Sequence, residues 1–386
     1  MMSQKTNRVA LVLSSKEKMG DPAGGIHKAV LAQIAALHAH GIRVHLLTAS
    51  EPCAQSAQMM GATVDYSPVW HNAIKPILFP KYWLKLIRLR FSGIRAVIHH
   101  NGRTWAWGYL FFPGIPQIQV LHREEIGHYR YFRRWLALSS GYAAYLKKHH
   151  GMLGWRKIAW APHCTIETSI PKPSPAPRRA NRPFTLGFVG RNCKAKGTDL
   201  LIEAAAKIIS DGNDLKIHFA GSEKAYVMAL AKRYNVTTHV EFTEWLADLG
   251  PYLDSIDLLV VPSEKEAFGL VLLDAMSRGK PILATACNGP ADIIVEGETG
   301  WLVPIEDAEA LANGIRNAMN DPSLSAVGMK GYERLLEQYI PSTMGERLKQ
   351  ALESLGARWY RETHQASKIT SRPDRNFEDR QNHHAE

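Results

Sequence analysis

One order of elements occurs twice along the 386-residue chain. Residues 8–14 (RVALVLS) predict a buried strand, residues 26–40 an amphipathic helix and residues 42–48 a second strand. The same order restarts at Phe184, where a strand, a glycine-containing loop, a helix and a strand follow one another. A helix that joins two neighbouring strands in this way gives a parallel sheet with a right-handed crossover. We therefore predict an α/β protein with two parallel sheets.

A proline-rich segment lies between the two repeats. Residues 169–183 (SIPKPSPAPRRANRP) have no apolar periodicity, which is typical of a linker. This divides the chain into an N-terminal domain at 1–168, a linker at 169–183 and a C-terminal domain that starts at 184. Residues 361–386 are almost wholly polar and predict a disordered tail.

Composition favours a soluble globular protein, with 45% hydrophobic and 22% charged residues. No apolar run reaches the roughly 18 residues that a membrane-spanning helix requires. The apolar stretch VALVL near the N-terminus is too short for a secretory signal, so we expect a cytoplasmic protein. The four cysteines are scattered without C-x-x-C spacing, which favours reduced thiols over a metal site.

The net charge of +11 is unevenly distributed. Residues 66–166 contain fifteen Lys and Arg against two acids, whereas residues 241–310 contain fourteen acids against three bases. Two regions of opposite charge are expected to meet different partners.

Residues 80–93 (PKYWLKLIRLRFSG) predict a basic amphipathic helix. Four residues of this helix could face a partner, three of them basic and one aromatic: Lys81, Lys85, Arg88 and Trp83. Such a helix packs its apolar side into its own domain or lies on a membrane surface, and the flanking positive charge favours an anionic membrane. Nucleic acid is disfavoured, because the second half is acidic and no nucleic-acid-binding module is recognised.

A basic loop follows the first strand of the second repeat. The strand ends at Gly190, the loop GRNCKAKG contains Arg191 and Lys196, and a helix follows. Cations and helix N–H groups beyond the carboxyl end of a sheet suit a diphosphate. A solvated basic loop is the alternative, because short loops of this composition are common after strands. The loop is neither a Walker A sequence nor G-x-G-x-x-G.

A second loop, from Ser263 to Gly269, connects a predicted strand to a predicted helix. The first N–H groups of this helix are open to an anion, Glu266 lies in the loop, and Asp274 lies over a turn into the helix. Carboxylates accept hydrogen bonds from paired hydroxyls, so the arrangement predicts a nucleotide-sugar site. The alternative is that Glu266 caps the helix and Asp274 is simply exposed.

These segments resemble the retaining family 4 glycosyltransferases of the GT-B fold. EAFGLVLLDA is similar to the family's motif of two glutamates separated by seven residues, except that the second acid is Asp274. GRNCKAKG matches its G-R-x-x-x-x-K-G, and NGPAD resembles its G-G-x-x-E loop with Asn288 and Asp292 as departures. The resemblance implies two doubly wound Rossmann-like domains facing a central cleft, a donor domain at 184–342, and a helix at 343–360 that returns to the N-terminal domain.

The resemblance also implies an activity and roles for residues. It implies transfer of a hexosyl or related sugar from a nucleotide diphosphate sugar, with retention of anomeric configuration and without a metal or other cofactor. Arg191 and Lys196 would hold the diphosphate, Glu266 the sugar hydroxyls and Asp274 the ribose hydroxyls. The other implied donor-site residues are Ser263, Phe268, Gly269, Leu270, Gly24 and Gly25. His122 matches the family's interdomain histidine, with an ordinary surface histidine as the alternative.

The expected acceptor is a lipid-linked saccharide, of the lipopolysaccharide-core type or another envelope glycolipid, at the inner face of the cytoplasmic membrane. This expectation rests on the basic N-terminal half and on the helix at 80–93. Two alternatives remain: transfer to a small soluble acceptor, and a non-catalytic nucleotide-sugar-binding component of an envelope assembly.

Overall fold

The structure of the protein is a computed structural model. It describes residues 7–13, 25–71, 77, 79–100, 104–122, 131–150, 156–167, 169–174, 182–246 and 248–359. Gly24, part of the predicted linker and the predicted tail at 361–386 lie outside the described residues.

The first sheet comes from the N-terminal half, and all its neighbouring strands are parallel. Within the described residues its order is β3-β2-β1-β4-β5-β6-β7. The strands are β1 (Arg8–Leu13), β2 (Arg43–Thr48), β3 (Thr63–Tyr66), β4 (Ile94–His99), β5 (Gln117–Val120), β6 (Arg134–Ala137) and β7 (Lys157–Trp160). The helices are α1 (Gly25–Ala39), α2 (Glu51–Met59), α3 (Pro80–Arg90), α4 (Trp105–Phe111) and α5 (Ser140–His150).

The second sheet is also parallel, with the order β10-β9-β8-β11-β12-β13 among the described residues. Its strands are β8 (Phe184–Arg191), β9 (Leu215–Ser222), β10 (Val240–Thr243), β11 (Leu258–Val261), β12 (Ile282–Thr285) and β13 (Trp301–Val303). The helices are α6 (Thr198–Ser210), α7 (Lys224–Arg233), α8 (Gly250–Ser255), α9 (Leu270–Ser277), α10 (Asn288–Ile293), α11 (Ala308–Asn320), α12 (Leu324–Gln338) and α13 (Pro341–Ser354).

Strand order reverses at the first strand of each sheet, between β1 and β4 and between β8 and β11. In open parallel sheets the carboxyl ends of the strands at such a reversal form a crevice that binds ligands. The predicted α/β architecture with two parallel sheets is confirmed.

Helix α1 is more deeply buried than its sequence pattern indicates. The pattern predicts one apolar face, yet the polar residues His27 and Gln33 are buried as well. The reason is that α13, from the far end of the chain, packs against α1. A helix covered on two sides buries residues outside its apolar stripe.

One apolar cluster extends across both halves of the molecule. It joins Val9 of β1 and Leu37 of α1 to Leu259 of β11, Met276 of α9 and Leu352 of α13. The two sheets therefore share part of their core.

Candidate functional site

Lys196 and Glu266 meet at the carboxyl edge of the second sheet. Lys196 follows β8 on a single 3₁₀ turn, and its Nζ contacts Glu266 Oε2 in the loop after β11. Gly197 makes this approach possible, since its φ is 72° and a Cβ there would lie 2.0 Å from the Pro262 carbonyl oxygen. Two predicted donor-site residues, 70 positions apart, are thus in direct contact.

The start of α9 carries no side-chain cap within the described residues. Gly269 precedes the helix with a φ of 95°, and Glu266 pairs with Lys196 instead of capping. The Gly289 N–H donates to the Glu266 carbonyl oxygen at 2.9 Å, which ties this loop to α10. The N–H groups at the start of α9 therefore present partial positive charge beside an ion pair.

Asp274 is paired with a residue of the other sheet's domain. Its Oδ2 accepts a hydrogen bond from Nζ of Lys28 on α1 at 3.0 Å, and both side chains are about one-third exposed, at 31% and 30%. Burial raises the pKa of the Asp274 carboxyl, and the Lys28 ammonium opposes that rise. Asp274, the second acid of the motif, thus forms an ion pair that crosses the crevice between the two domains.

The remaining predicted donor-site residues differ in exposure. Arg191 is the exposed last residue of β8, and its guanidinium forms no ion pair with the described part of the chain. Ser263 is buried, and its carbonyl oxygen accepts a hydrogen bond from the Thr285 hydroxyl at 2.5 Å. Gly25 is the exposed first residue of α1, and Leu270 is the partly buried first residue of α9.

His122 belongs to a hydrogen-bonded chain in the N-terminal domain. Its Nε2 lies 2.9 Å from His100 Nδ1, and His100 Nε2 lies 3.0 Å from Gln33 Oε1. Because a carbonyl oxygen only accepts, His100 donates from Nε2 and accepts at Nδ1, and His122 therefore donates from Nε2. Burial is the larger cause and the nearby His122 the next in holding the pKa of His100 well below its ordinary value, which keeps this imidazole neutral.

His163 connects the hydrogen-bonded histidines to the loop that precedes α9. Its ring stacks on His122 at 5.8 Å between centroids and meets the buried Phe268 ring edge-on at 5.4 Å. Burial, followed by the nearby His122, holds the pKa of His163 well below its ordinary value.

Four residues at the site are not among those predicted from the sequence: Lys28, Gln33, His100 and His163. A signal existed for two of them, because His100 follows β4 and His163 follows β7, as His122 follows β5. Residues beyond the carboxyl ends of parallel strands share one edge of the sheet. Lys28 and Gln33 lie within α1, where nothing in the sequence separates them from ordinary helical residues.

A second contact across the crevice involves the NGPAD loop. Asp292 accepts hydrogen bonds from the backbone N–H of Ser140 and, at 2.8 Å, from the Ser140 hydroxyl. Asp292 thereby caps the first turn of α5 from the opposite domain. Asp292 stands where the family's G-G-x-x-E loop has a glutamate, and both of its carboxylate oxygens are hydrogen-bonded to Ser140.

The surface of α3 combines apolar and basic side chains. Leu86 and Leu89 are buried, whereas Trp83, Leu84 and Ile87 are exposed. Lys81 and Arg88 are exposed too, on the same side as Leu84, at spacings of three and four residues. Lys85, grouped with them in the sequence analysis, contacts Asp65, which also bonds to His45 at 3.0 Å.

Three further features hold for the described residues. No helix is long and apolar enough to cross a bilayer. No group of three or more His, Cys, Asp or Glu side chains is placed to hold a metal ion. All four cysteines are free thiols.

Two parallel sheets in contact across a crevice are the architecture of the GT-B class, and solved structures share it. Sucrose-phosphate synthase from Thermosynechococcus elongatus is 20% identical with a TM-score of 0.70, covering 90% of this chain and 99% of that one. Alr3699/HepE of Anabaena, solved with UDP-glucose, is 18% identical with a TM-score of 0.70, covering 90% and 99%. At these identities the likeness shows the fold.

Residues 171–334 match the family described as Glycosyl transferases group 1, and this part of the chain is a domain of that family. The lipopolysaccharide core biosynthesis glycosyltransferase LpsE of Rhizobium meliloti is 32% identical over 45% of this chain and 51% of its own length. The capsular polysaccharide biosynthesis glycosyltransferase CapM of Staphylococcus aureus is 30% identical over 44% and 46%. The matched segment thus spans about half the length of these relatives.

Proposed function

We propose that the protein is a retaining glycosyltransferase that moves a sugar from a nucleotide diphosphate sugar to a lipid-linked saccharide of the cell envelope. The observation that carries this proposal is the contact between Lys196 and Glu266 beside the uncapped start of α9. A cation, a carboxylate and open helix N–H groups at one sheet edge match a ligand that has both a diphosphate and hydroxyls. The proposed retaining course rests on the motif resemblance.

The pairing of Lys196 with Glu266 also suggests what happens when the donor binds. A diphosphate oxygen would compete for the Lys196 ammonium, which leaves Glu266 to accept from sugar hydroxyls. In the transfer, the bond from the anomeric carbon to the β-phosphate oxygen breaks and a bond to the acceptor oxygen forms. The acceptor hydroxyl proton leaves with the nucleoside diphosphate. Lys196 and the exposed Arg191 would offset the negative charge that develops on the leaving diphosphate.

An envelope acceptor at the inner face of the cytoplasmic membrane is supported by two observations. LpsE and CapM are named for lipopolysaccharide core and capsular polysaccharide biosynthesis. The outer side of α3 presents apolar side chains between Lys81 and Arg88, the chemistry expected at an anionic lipid surface.

The donor is identified by a thermal-shift panel of nucleotide sugars on the purified chain. A ligand at 100 times its dissociation constant stabilises the folded state by about 2.7 kcal/mol. The donor selected in this way is then supplied with membrane extract, and release of nucleoside diphosphate is measured. Release that depends on the extract is the expected result. Saturable binding without release would instead identify a non-catalytic nucleotide-sugar-binding protein.

Glu266→Gln and Lys196→Ala test the site itself. Each removes one positioned charge and is expected to slow turnover about a hundredfold, or about 3 kcal/mol in the transition state. Glu264→Gln is the matched control, because Glu264 lies in the same loop and pairs with Lys265 at 3.6 Å. Near-normal turnover in either site variant, with circular dichroism unchanged, would contradict the site assignment.

A further inference from the structure

Four histidines of the N-terminal domain are buried among the described residues, and His163 is the one for which both ring nitrogens lack a hydrogen-bond partner there. Both nitrogens of His99 are paired, with Thr104 at 2.6 Å and Gln117 at 2.8 Å, and both nitrogens of His100 are paired as well. His163 is 3% exposed, yet neither of its nitrogens has a hydrogen-bond partner among the described residues.

An imidazole in this state is poorly explained by packing alone. Each buried polar atom without a partner destabilises the folded protein, and native structures contain few such atoms. A phenylalanine would provide a similar flat ring for the contacts with His122 and Phe268 without that penalty. A polar ring at this position therefore calls for a partner that the described residues do not provide.

The surroundings of His163 indicate where that partner would come from. The ring lies between His122, which ends the chain from Gln33 and His100, and Phe268, which directly precedes Gly269 and the start of α9. These two neighbours come from opposite domains. A ligand that reaches His163 would thus lie in the crevice, next to the diphosphate and sugar groups proposed above.

The chemistry of the ring selects the class of ligand group. A neutral imidazole offers one N–H donor and one acceptor nitrogen, and a hydroxyl likewise donates and accepts. A phosphate dianion only accepts and favours a protonated ring, whereas burial holds the pKa of His163 well below its ordinary value.

Resting on the proposed function, we propose that His163 is a sugar-binding residue that exchanges hydrogen bonds with a hydroxyl of the transferred sugar. It would then contribute to the binding of the intact nucleotide sugar and not to the binding of the nucleoside diphosphate that is left after transfer.

His163→Phe tests this assignment by titration calorimetry with two probes, the nucleotide sugar selected by the thermal-shift panel and its parent nucleoside diphosphate. The variant is expected to bind the nucleotide sugar about tenfold more weakly, equivalent to about 1.4 kcal/mol, and the nucleoside diphosphate as the wild type does. Its melting temperature without ligand is expected to equal or exceed that of the wild type, because two unpaired polar atoms are removed. His163→Asn retains a donor and an acceptor and is expected to preserve part of the preference for the sugar.

Each outcome either supports or contradicts the assignment of His163 as a sugar-binding residue. If His163→Phe binds both probes as tightly as the wild type, or loses affinity for both equally, His163 does not recognise the sugar. If His163→Phe does not fold, His163→Asn decides alone, and a wild-type ratio of the two affinities with lower thermal stability would assign His163 a structural role. If the wild type binds no nucleotide or nucleotide sugar of the panel, the proposed function fails and the inference fails with it.

Discussion

Asp274 is a carboxylate whose ionisation depends on a residue of the opposite domain. Burial raises its pKa, and the charge and hydrogen bond of Lys28 at 3.0 Å oppose the rise. An aspartate is one methylene shorter than the family's glutamate, and Lys28 occupies one of its two carboxylate oxygens. We propose that the other oxygen accepts from the ribose, so that Lys28 holds Asp274 in the state that binds nucleotide.

Lys28→Met is therefore expected to make nucleotide binding sensitive to pH. Loss of the ammonium removes a cause that lowers the Asp274 pKa, so the carboxyl protonates at a higher pH than in the wild type. Nucleoside diphosphate affinity measured by calorimetry is expected to fall several-fold at neutral pH, since a partly exposed pair contributes up to about 1 kcal/mol. It is expected to fall further as the pH is lowered toward 5, and to recover as the pH is raised.

Lys28→Arg is the matched control, because it retains a cation at the same position. It is expected to keep the wild-type affinity over the same pH range. Equal affinities for wild type and Lys28→Met at every pH would show that Lys28 has no influence on the nucleotide site.

Helix α3 has an inner side that packs and an outer side that does not. Leu86 and Leu89 are buried, whereas Leu84 is 62% exposed and Phe91, just after the helix, is 79% exposed. The packing interpretation thus applies to the inner side of the helix, and contact of the outer side with a membrane stays a proposal. The pairing of Lys85 with Asp65 leaves Lys81 and Arg88 as cations on the same side of the helix as the exposed Leu84.

Changing Lys81 and Arg88 together to Glu is expected to abolish binding to anionic vesicles. Each basic residue near an anionic surface contributes about 1 kcal/mol, so loss of two weakens binding about thirtyfold, and the introduced acids add repulsion. Co-sedimentation with phosphatidylserine-containing vesicles at low salt measures the effect, and added salt is expected to release the wild type. Lys224→Glu with Lys232→Glu is the control, with the same charge change on exposed positions of α7.

A wild type that stays in the supernatant with anionic vesicles would contradict the membrane proposal. The glycosyltransferase proposal would survive that result if a soluble saccharide served as the acceptor.

Across the protein, the sequence predicts helices and strands better than it predicts contacts between them. The strand at 8, the helix at 26 and the strand at 184 begin within a residue of their predicted positions, because local apolar periodicity specifies them. The proximity of Lys196 to Glu266 was predictable, since both follow strands that the rule for parallel sheets places at one edge. Contacts across the crevice, such as Lys28 with Asp274 and Ser140 with Asp292, depend on how two domains meet. No local pattern encodes that arrangement.

Helix α13 shows how the two halves are joined. It follows the C-terminal domain in sequence but packs on α1 of the N-terminal domain, and both helices contribute to one apolar cluster. Gly345 permits the close approach, because a Cβ at that position would lie 2.2 Å from the carbonyl oxygen of Ala36. A shared core of this kind is expected to make the two domains unfold in one cooperative transition.

Gly345→Leu is expected to separate the two halves thermodynamically. Helix propensity alone favours the change by about 1 kcal/mol, but the added side chain meets the α1 backbone, and such overpacking costs about 1–3 kcal/mol or more. Calorimetry is expected to show a lower melting temperature and a broadened or divided transition, whereas Glu353→Leu, on the exposed side of the same helix, is expected to unfold as the wild type does. A single wild-type transition in Gly345→Leu would mean that α13 does not couple the domains.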